Sequence, residues 1–189
     1  MNFEFLSANS KVYEVFNELI YEKRETLKKV RFNGFWPCES YNNLNFCKNL
    51  QELSGNHHLH EFQHTQSKLI RLLMTGRLNS EEFSIFSKIN VTNLEHFEVA
   101  IDAQIFGQFA QLQLPALQYL MIQLEHWDKS ISVRLYNLMQ NSPNLKAVRF
   151  KGKRITISKD LIFEIFETKG IIIIVKDNPK ENFEMEKYI

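Results

Sequence analysis

The sequence is poor in the residues and motifs that mark several classes of protein. It contains only two cysteines, Cys38 and Cys47, and its six glycines are scattered singly. Two cysteines cannot build a disulfide framework or the paired-cysteine spacings of structural zinc sites, which favours a reducing compartment. The glycine-rich dinucleotide and phosphate-binding motifs and the G-x-S-x-G nucleophile turn are missing from the sequence, so these enzyme signatures are excluded.

An excess of charge of one sign is also missing. The chain has 23 basic and 22 acidic residues and a net charge of +1, so no global field attracts nucleic acid or an acidic membrane. The longest apolar run, Gly170 to Val175, is far shorter than a membrane-spanning helix. The first residues do not resemble a signal peptide, because they lack a basic segment before an apolar one. We therefore expect a cytoplasmic or nuclear protein without a membrane partner, and any nucleic-acid binding would need a local basic patch.

The composition is otherwise that of an ordinary globular chain. Of the 189 residues, 44% are hydrophobic, and phenylalanine alone occurs 16 times. A chain of this length suits one domain or one continuous array, and it can bury about 70% of the surface that its unfolded form exposes. Because the phenylalanines are spread along the chain, we predict that most of them fill a core rather than line a cofactor pocket.

A short apolar pattern, with leucine-type residues at positions one, four and six, recurs along the chain. Its intervals scatter around about 20–29 residues. A seventh, degenerate copy is predicted within Ile171 to Val175, with Ile172 in the first position. The six clearer copies are Leu27-Val30-Phe32, Leu50-Leu53-Gly55, Leu69-Leu72-Met74, Leu94-Phe97-Val99, Leu117-Leu120-Ile122 and Leu145-Val148-Phe150.

Segments with helical periodicity separate these copies. Apolar residues fall on one helical face in Ser10 to Arg24, in Ser80 to Ile89 and in Asp128 to Met139. A last helix is predicted to begin at Ser158 and to end at Lys169-Gly170. Each unit therefore consists of a short strand, a turn and a helix.

This pattern resembles leucine-rich repeat proteins over residues 27–172. The turns Leu114-Pro115-Ala116-Leu117 and Ser142-Pro143-Asn144-Leu145 are similar to those of the longer intracellular type, including the repeats of F-box receptors. The Asn or Cys usual at position nine is replaced, for example by Arg77 and Asp102. The resemblance implies an α/β leucine-rich repeat solenoid of about seven irregular repeats, with a curved parallel sheet on one face and helices on the other. Residues 1–26 would form an N-terminal helical cap, residues 27–177 the repeats with a terminal capping strand, and residues 178–189 a C-terminal tail.

One motif points to a different function. His60-Glu61-Phe62-Gln63-His64 matches HExxH, in which His60 and His64 would bind zinc and Glu61 would act as the general base of a small metallopeptidase. The motif lies between the copies that begin at Leu50 and Leu69, which leaves room for only about two helical turns. We therefore interpret this segment as a solvated loop or short helix without a metal, and keep the metallopeptidase as the alternative.

The expected function is binding to another protein, without catalysis or a cofactor. In the repeated unit, positions two, three and five point out of the sheet, where a partner would meet them. The repeats of F-box receptors further suggest a substrate-recognition subunit of a ubiquitin ligase, with an adaptor or a substrate as partner, although no F-box is recognised before the repeats. The basic run Arg149 to Arg154 is interpreted as a solvated corner. The predicted partner-binding residues are Arg71, Leu73, Glu95, His96, Glu98, Tyr119, Met121, Lys146 and Arg149.

Overall fold

The chain forms an α/β structure around one parallel sheet. The computed structural model describes residues 1–5, 10–32, 43–44, 46–55, 69–87, 91–124, 130–151 and 169–176. Within these residues the sheet has eight strands, which are all parallel and lie in the order of the sequence. The elements in chain order are β1 (Asn2–Phe5), α1 (Ser10–Lys23), β2 (Lys29–Phe32), β3 (Glu52–Gly55), β4 (Arg71–Arg77), α2 (Ser80–Phe86), β5 (His96–Ile101), α3 (Ala103–Phe109), β6 (Tyr119–Leu124), α4 (Ser130–Asn141), β7 (Ala147–Lys151) and β8 (Ile172–Lys176).

The strands follow the apolar alternation of the sequence. In β5 and β6, every second side chain is buried and those between them are partly or fully exposed. Because successive side chains of a strand point to opposite faces, this alternation gives the sheet one buried face and one open face. The buried face is continuous across strands, since Val30, Leu53, Leu72, Phe97 and Leu120 are paired in register.

The turn before each of six strands has the same structure. The first leucine of each predicted copy is at most 5% exposed and lies two residues before its strand. At the next residue, the carbonyl oxygen accepts hydrogen bonds from two successive amides of the following copy: Lys28 accepts from Gln51 and Glu52, and Glu95 accepts from Gln118 and Tyr119. This doubled hydrogen bond sets the register between neighbouring strands.

Asparagine side chains add a second recurring contact. The Asn49 side chain donates to the Glu25 carbonyl oxygen at 2.8 Å, and Asn144 donates to the Pro115 carbonyl oxygen at 2.7 Å. Each asparagine directly precedes the first leucine of its copy, and each acceptor lies two residues before the first leucine of the preceding copy. The same hydrogen bond is therefore made at two places that are 95 residues apart in the sequence, which is expected if the copies stack in equivalent positions.

The helices begin where polar side chains satisfy their free amides. Asn79 and Glu82 bond each other's backbone amides at 2.9 and 2.8 Å at the start of α2, which is a capping box. Asp102 caps α3 by accepting from the Ile105 amide at 2.8 Å. Asp102 is the ninth residue of the copy that begins at Leu94, where leucine-rich repeats usually have Asn or Cys. In this chain the aspartate at that position starts a helix.

Phenylalanine side chains join the helices to the buried face of the sheet. Phe16 of α1 packs edge-on against Phe32, with ring centroids 5.1 Å apart. Phe86 of α2 stacks on Phe97 at 4.9 Å, and Phe109 of α3 lies 5.4 Å from the same ring. The prediction that the phenylalanines form the core is confirmed for the following residues, which are all 7% exposed or less: Phe16, Phe32, Phe83, Phe86, Phe97, Phe106, Phe109 and Phe150.

The structure differs from the sequence interpretation at both ends of the sheet. Strand β1 lies within the segment predicted as a helical cap and pairs with β2, so this segment contributes a strand as well as α1. At the other end, Ile173 pairs with Val148, which makes Gly170 and not Ile172 the equivalent of Leu145. Gly170 has a φ of 66°, a conformation that glycine adopts without strain. The last helix predicted from Ser158 lies outside the described residues, and none of the described helices is long and apolar enough to cross a membrane.

Candidate functional site

The open face of the sheet carries two parallel rows of side chains. Residues of one row pair in register across successive strands, so that their side chains stand side by side. The first row runs through Lys29, Glu52, Arg71, His96, Tyr119, Ala147 and Ile172. The second row runs through Arg31, Ser54, Leu73, Glu98, Met121, Arg149 and Ile174.

A shallow depression of about 160 Å³ lies where the two rows cross strands β4 to β8. Side chains of both rows surround it, and residues of the strands below contribute its floor. Apolar and aromatic groups at its centre lie between charged groups, an arrangement that is typical of protein-binding surfaces. The lining residues are Arg71, Leu72, Leu73, His96, Phe97, Glu98, Tyr119, Leu120, Met121, Ala147, Arg149 and Ile174.

An aromatic pair forms one wall of the depression. The His96 ring stacks on the Tyr119 ring with centroids 4.6 Å apart and planes inclined by 22°. Burial, helped by the neighbouring Arg71 charge, lowers the pKa of His96, while Glu95 and Glu52 oppose the shift. His96 is therefore a neutral ring at neutral pH, and the pair presents a flat aromatic surface to a partner.

Unpaired charged groups stand around this centre. Burial raises the pKa of Glu98, although the charges of Lys151 and Arg149 oppose the shift. The Arg149 Nε atom is buried and has no hydrogen-bond partner among the described residues. Arg71 also makes no hydrogen bond or ion pair within the described part of the chain. Because the Arg71, Glu98 and Arg149 side chains are each only partly buried, their charges remain available to a ligand.

A neighbouring cluster on β2 and β3 is, in contrast, internally paired. Glu52 is 3% exposed, and its carboxylate accepts hydrogen bonds from Arg31 Nε and Nη2 at 3.0 and 2.7 Å. Lys29 Nζ lies 3.1 Å from the other carboxylate oxygen. Burial acts to raise the pKa of Glu52, but the hydrogen bonds and charges of Arg31 and Lys29 outweigh it and lower the pKa. This cluster has few polar groups left for a ligand.

The structure brings most of the predicted partner-binding residues together. Of the nine, only Glu95 and Lys146 lie away from the depression. Glu95 precedes β5 and binds the next copy through its carbonyl oxygen, and Lys146 donates to the Gln118 side chain at 2.8 Å. Sequence analysis missed Ala147 and Ile174 as lining residues. Ala147 carries little side chain to mark it, and Ile174 was not selected because the last strand was interpreted as a terminal cap rather than as part of the binding face.

Two other candidate segments are described partly or not at all. His60, Glu61 and His64 lie outside the described residues, so the zinc site stays a prediction. Elsewhere in the described part of the chain, no group of three or more His, Cys, Asp or Glu side chains could hold a metal ion. Of the basic run, Arg149 lines the depression and Lys151 is exposed at the end of β7, whereas residues 152–154 are not described.

Comparison with known proteins does not assign the chain to a family. No protein-family model matches it, and no curated protein matches it either.

Proposed function

We propose that this chain is a leucine-rich repeat solenoid that binds another protein on the open face of its sheet and catalyses no reaction. The fold part of the proposal rests on recurrence. The same buried leucine and the same doubled hydrogen bond appear in successive copies, and the same asparagine contact appears at two places, as expected when similar units stack on one another.

The depression between β4 and β8 is the observation that carries the binding function. Tyr119, His96 and Met121 are large side chains that are only partly buried, and tyrosine in particular is enriched among residues that dominate binding energy. Charged groups without partners border them. A surface of this kind gains free energy when a partner covers the apolar centre and pairs with the charges around it.

Within this function we propose the role of a substrate-recognition subunit of a ubiquitin ligase. The proposal is supported by the turns before Leu117 and Leu145, which are similar to those in the repeats of F-box receptors. It predicts that a ligase adaptor protein copurifies with the chain. Purification of a specific substrate-like partner without any adaptor would leave the binding function in place and refute the ligase role.

Affinity purification from native cells, followed by mass spectrometry, tests the binding function. A double variant, Tyr119→Lys with Met121→Lys, places two charges in the centre of the depression and should remove the specific partner. The matched control, Val133→Lys with Tyr136→Lys, changes two exposed side chains of α4, which are 65% and 46% exposed. It should keep the partner. Equal capture by both variants would contradict the proposal.

A further inference from the structure

The charges of the open face identify the chemistry of the partner, provided that the proposed function holds. In the two rows between β2 and β7, Lys29 and Arg31 are engaged by Glu52. Arg71 and Arg149 remain without a hydrogen bond or ion pair among the described residues. Lys151 adds an exposed positive charge beside Arg149 on β7. The surface around the depression is therefore positive, although the net charge of the chain is only +1.

Glu98 lines the same depression but does not pair with either arginine. Its carboxylate makes no hydrogen bond or ion pair with any described residue, and burial disfavours its ionised form. The buried Nε of Arg149 likewise lacks an acceptor within the described part of the chain. The Arg149 side chain as a whole is only partly buried, so a partner can still pair with its charge, and a carboxylate matches the planar guanidinium group best.

The positions of the two arginines set a spacing. Arg71 lies on β4 and Arg149 on β7, in neighbouring rows. Three strand spacings and two residues along the strand place their Cα atoms about 16 Å apart. Tyr119, Met121 and Ala147 lie in the same depression and offer an apolar floor. In an extended peptide, residues i and i+4 point to the same face and are about 13 Å apart, with residue i+2 midway. The peptide spacing is about 3 Å shorter than the distance between the two arginine Cα atoms, and the arginine side chains are long enough to bridge it.

We infer that the open face binds an extended, acidic segment of a partner protein, in which carboxylates at i and i+4 pair with Arg71 and Arg149. An apolar side chain at i+2 then covers Tyr119 and Met121. A nucleic acid fits the surface less well, because its backbone carries a phosphate at every nucleotide and would place one over the apolar centre of the depression, which offers it no donors.

Fluorescence anisotropy with defined probes tests this inference on the full chain. The first probe is the labelled peptide Ser-Glu-Ser-Leu-Ser-Glu-Ser, and the second, Ser-Leu-Ser-Glu-Glu-Ser-Ser, has the same composition with adjacent carboxylates. A labelled single-stranded oligonucleotide is the third. The first peptide should bind about tenfold more tightly than the second, since only its carboxylates reach both arginines. Its affinity should fall as salt is added.

Variants separate the roles of the individual side chains. Arg71→Met and Arg149→Met should each weaken binding of the first peptide about tenfold. Lys48→Met, which removes an exposed charge in the turn before β3, is the control and should leave binding unchanged. Glu98→Gln should tighten binding, because it removes a carboxylate that repels the ligand at the centre of the site.

Three results would overturn the inference: equal binding of the two peptides, weaker binding by Glu98→Gln, or tightest binding of the oligonucleotide. Failure of this inference is distinguishable from failure of the proposed function. If no acidic peptide binds but Tyr119→Lys with Met121→Lys still abolishes capture of the native partner, only the chemistry assigned to the partner is wrong. If that capture is also unaffected, the binding function itself fails.

Discussion

At the scale of single residues, two glutamates on the same sheet face have opposite environments. Glu52 is buried beside Arg31 and Lys29, which hold its pKa below the ordinary value. Glu98 is surrounded by apolar and aromatic side chains, and its burial raises its pKa. The two residues should therefore affect the free energy of unfolding in opposite directions as the pH changes.

Replacement of Glu52 by glutamine should lower the free energy of unfolding at about pH 7 by about 1–2 kcal/mol, because two charge-assisted contacts are lost. The half-exposed Arg31 and Lys29 side chains keep this loss modest, since water screens them. The carboxylate's contribution is present above its unfolded pKa of 4.5 and is lost as the pH falls through the lower folded pKa. Urea denaturation should show the difference between variant and wild type shrinking as the pH falls below 4.5 and through the folded pKa. A difference that does not depend on pH would contradict this account.

The corresponding change at Glu98 should have the reverse effect. Because its folded pKa is raised, ionisation of Glu98 destabilises the fold as the pH rises from 4.5 through the folded pKa. Glu98→Gln should therefore be more stable than wild type at about pH 7, by about 0.5 kcal/mol, and lose this advantage below the unfolded pKa. Urea denaturation at several pH values tests this prediction. If Glu98→Gln is less stable than wild type at neutral pH, the carboxylate has a stabilising partner and the prediction is wrong.

At the scale of elements, the phenylalanine cluster joins two helices to one strand. Phe97 of β5 contacts both Phe86 of α2 and Phe109 of α3, and the Phe86 and Phe109 rings lie 6.2 Å apart, so that the three rings form one cluster. Both helices are only seven residues long, so their own hydrogen bonds contribute little stability. Their position depends on these rings.

Phe97→Ala should lower the free energy of unfolding by about 3–5 kcal/mol, since it opens a cavity between β5 and both helices. Phe97→Leu, which fills much of that space, should retain a measurable fold and lose less. Phe46, which is 54% exposed, provides the control: Phe46→Ala should change the free energy by about 0.5 kcal/mol or less. Similar losses at the two positions would show that the cluster does not hold the helices.

Several elements could be predicted from the sequence for a physical reason. Strands β2 to β7 are located by the first leucine of each copy and by the alternating apolar residues that follow it. A shift of one residue in any strand would move its buried side chains to the open face of the sheet, so the pattern also determines which side chains are buried. Strand β1 has no such leucine and follows the pattern for only four residues, so it was missed. Helix α3 was not predicted as a separate element, since its start is set by the capping contact of Asp102 rather than by a long apolar period.

The candidate site was predictable to a similar extent. The predicted outward direction of strand side chains was enough to select five residues that line the depression: Arg71, His96, Glu98, Tyr119 and Met121. Ile174 was missed because the last strand was interpreted as a terminal cap, and only its pairing with β7 shows that it extends the open face. Which of the charged groups are paired could not be predicted, because side-chain distances between neighbouring strands are not encoded in the alternation.

At the scale of the whole molecule, the sequential order of the strands gives the protein two different surfaces. Helices α1, α2 and α3 pack on the buried face of the sheet through the phenylalanines, and α4 packs beside α3. The opposite face is left with the rows of partly exposed side chains that form the depression. We therefore expect that a partner protein covers that face.

Site-specific photo-crosslinking in native cells measures this most directly. A benzophenone amino acid is placed at Tyr119 in the depression or, as a matched position, at Tyr136 on α4, which is 46% exposed. The account predicts a discrete, light-dependent adduct with another protein from position 119 and none from position 136. An adduct from position 136 alone would place the partner on the helices and contradict the account.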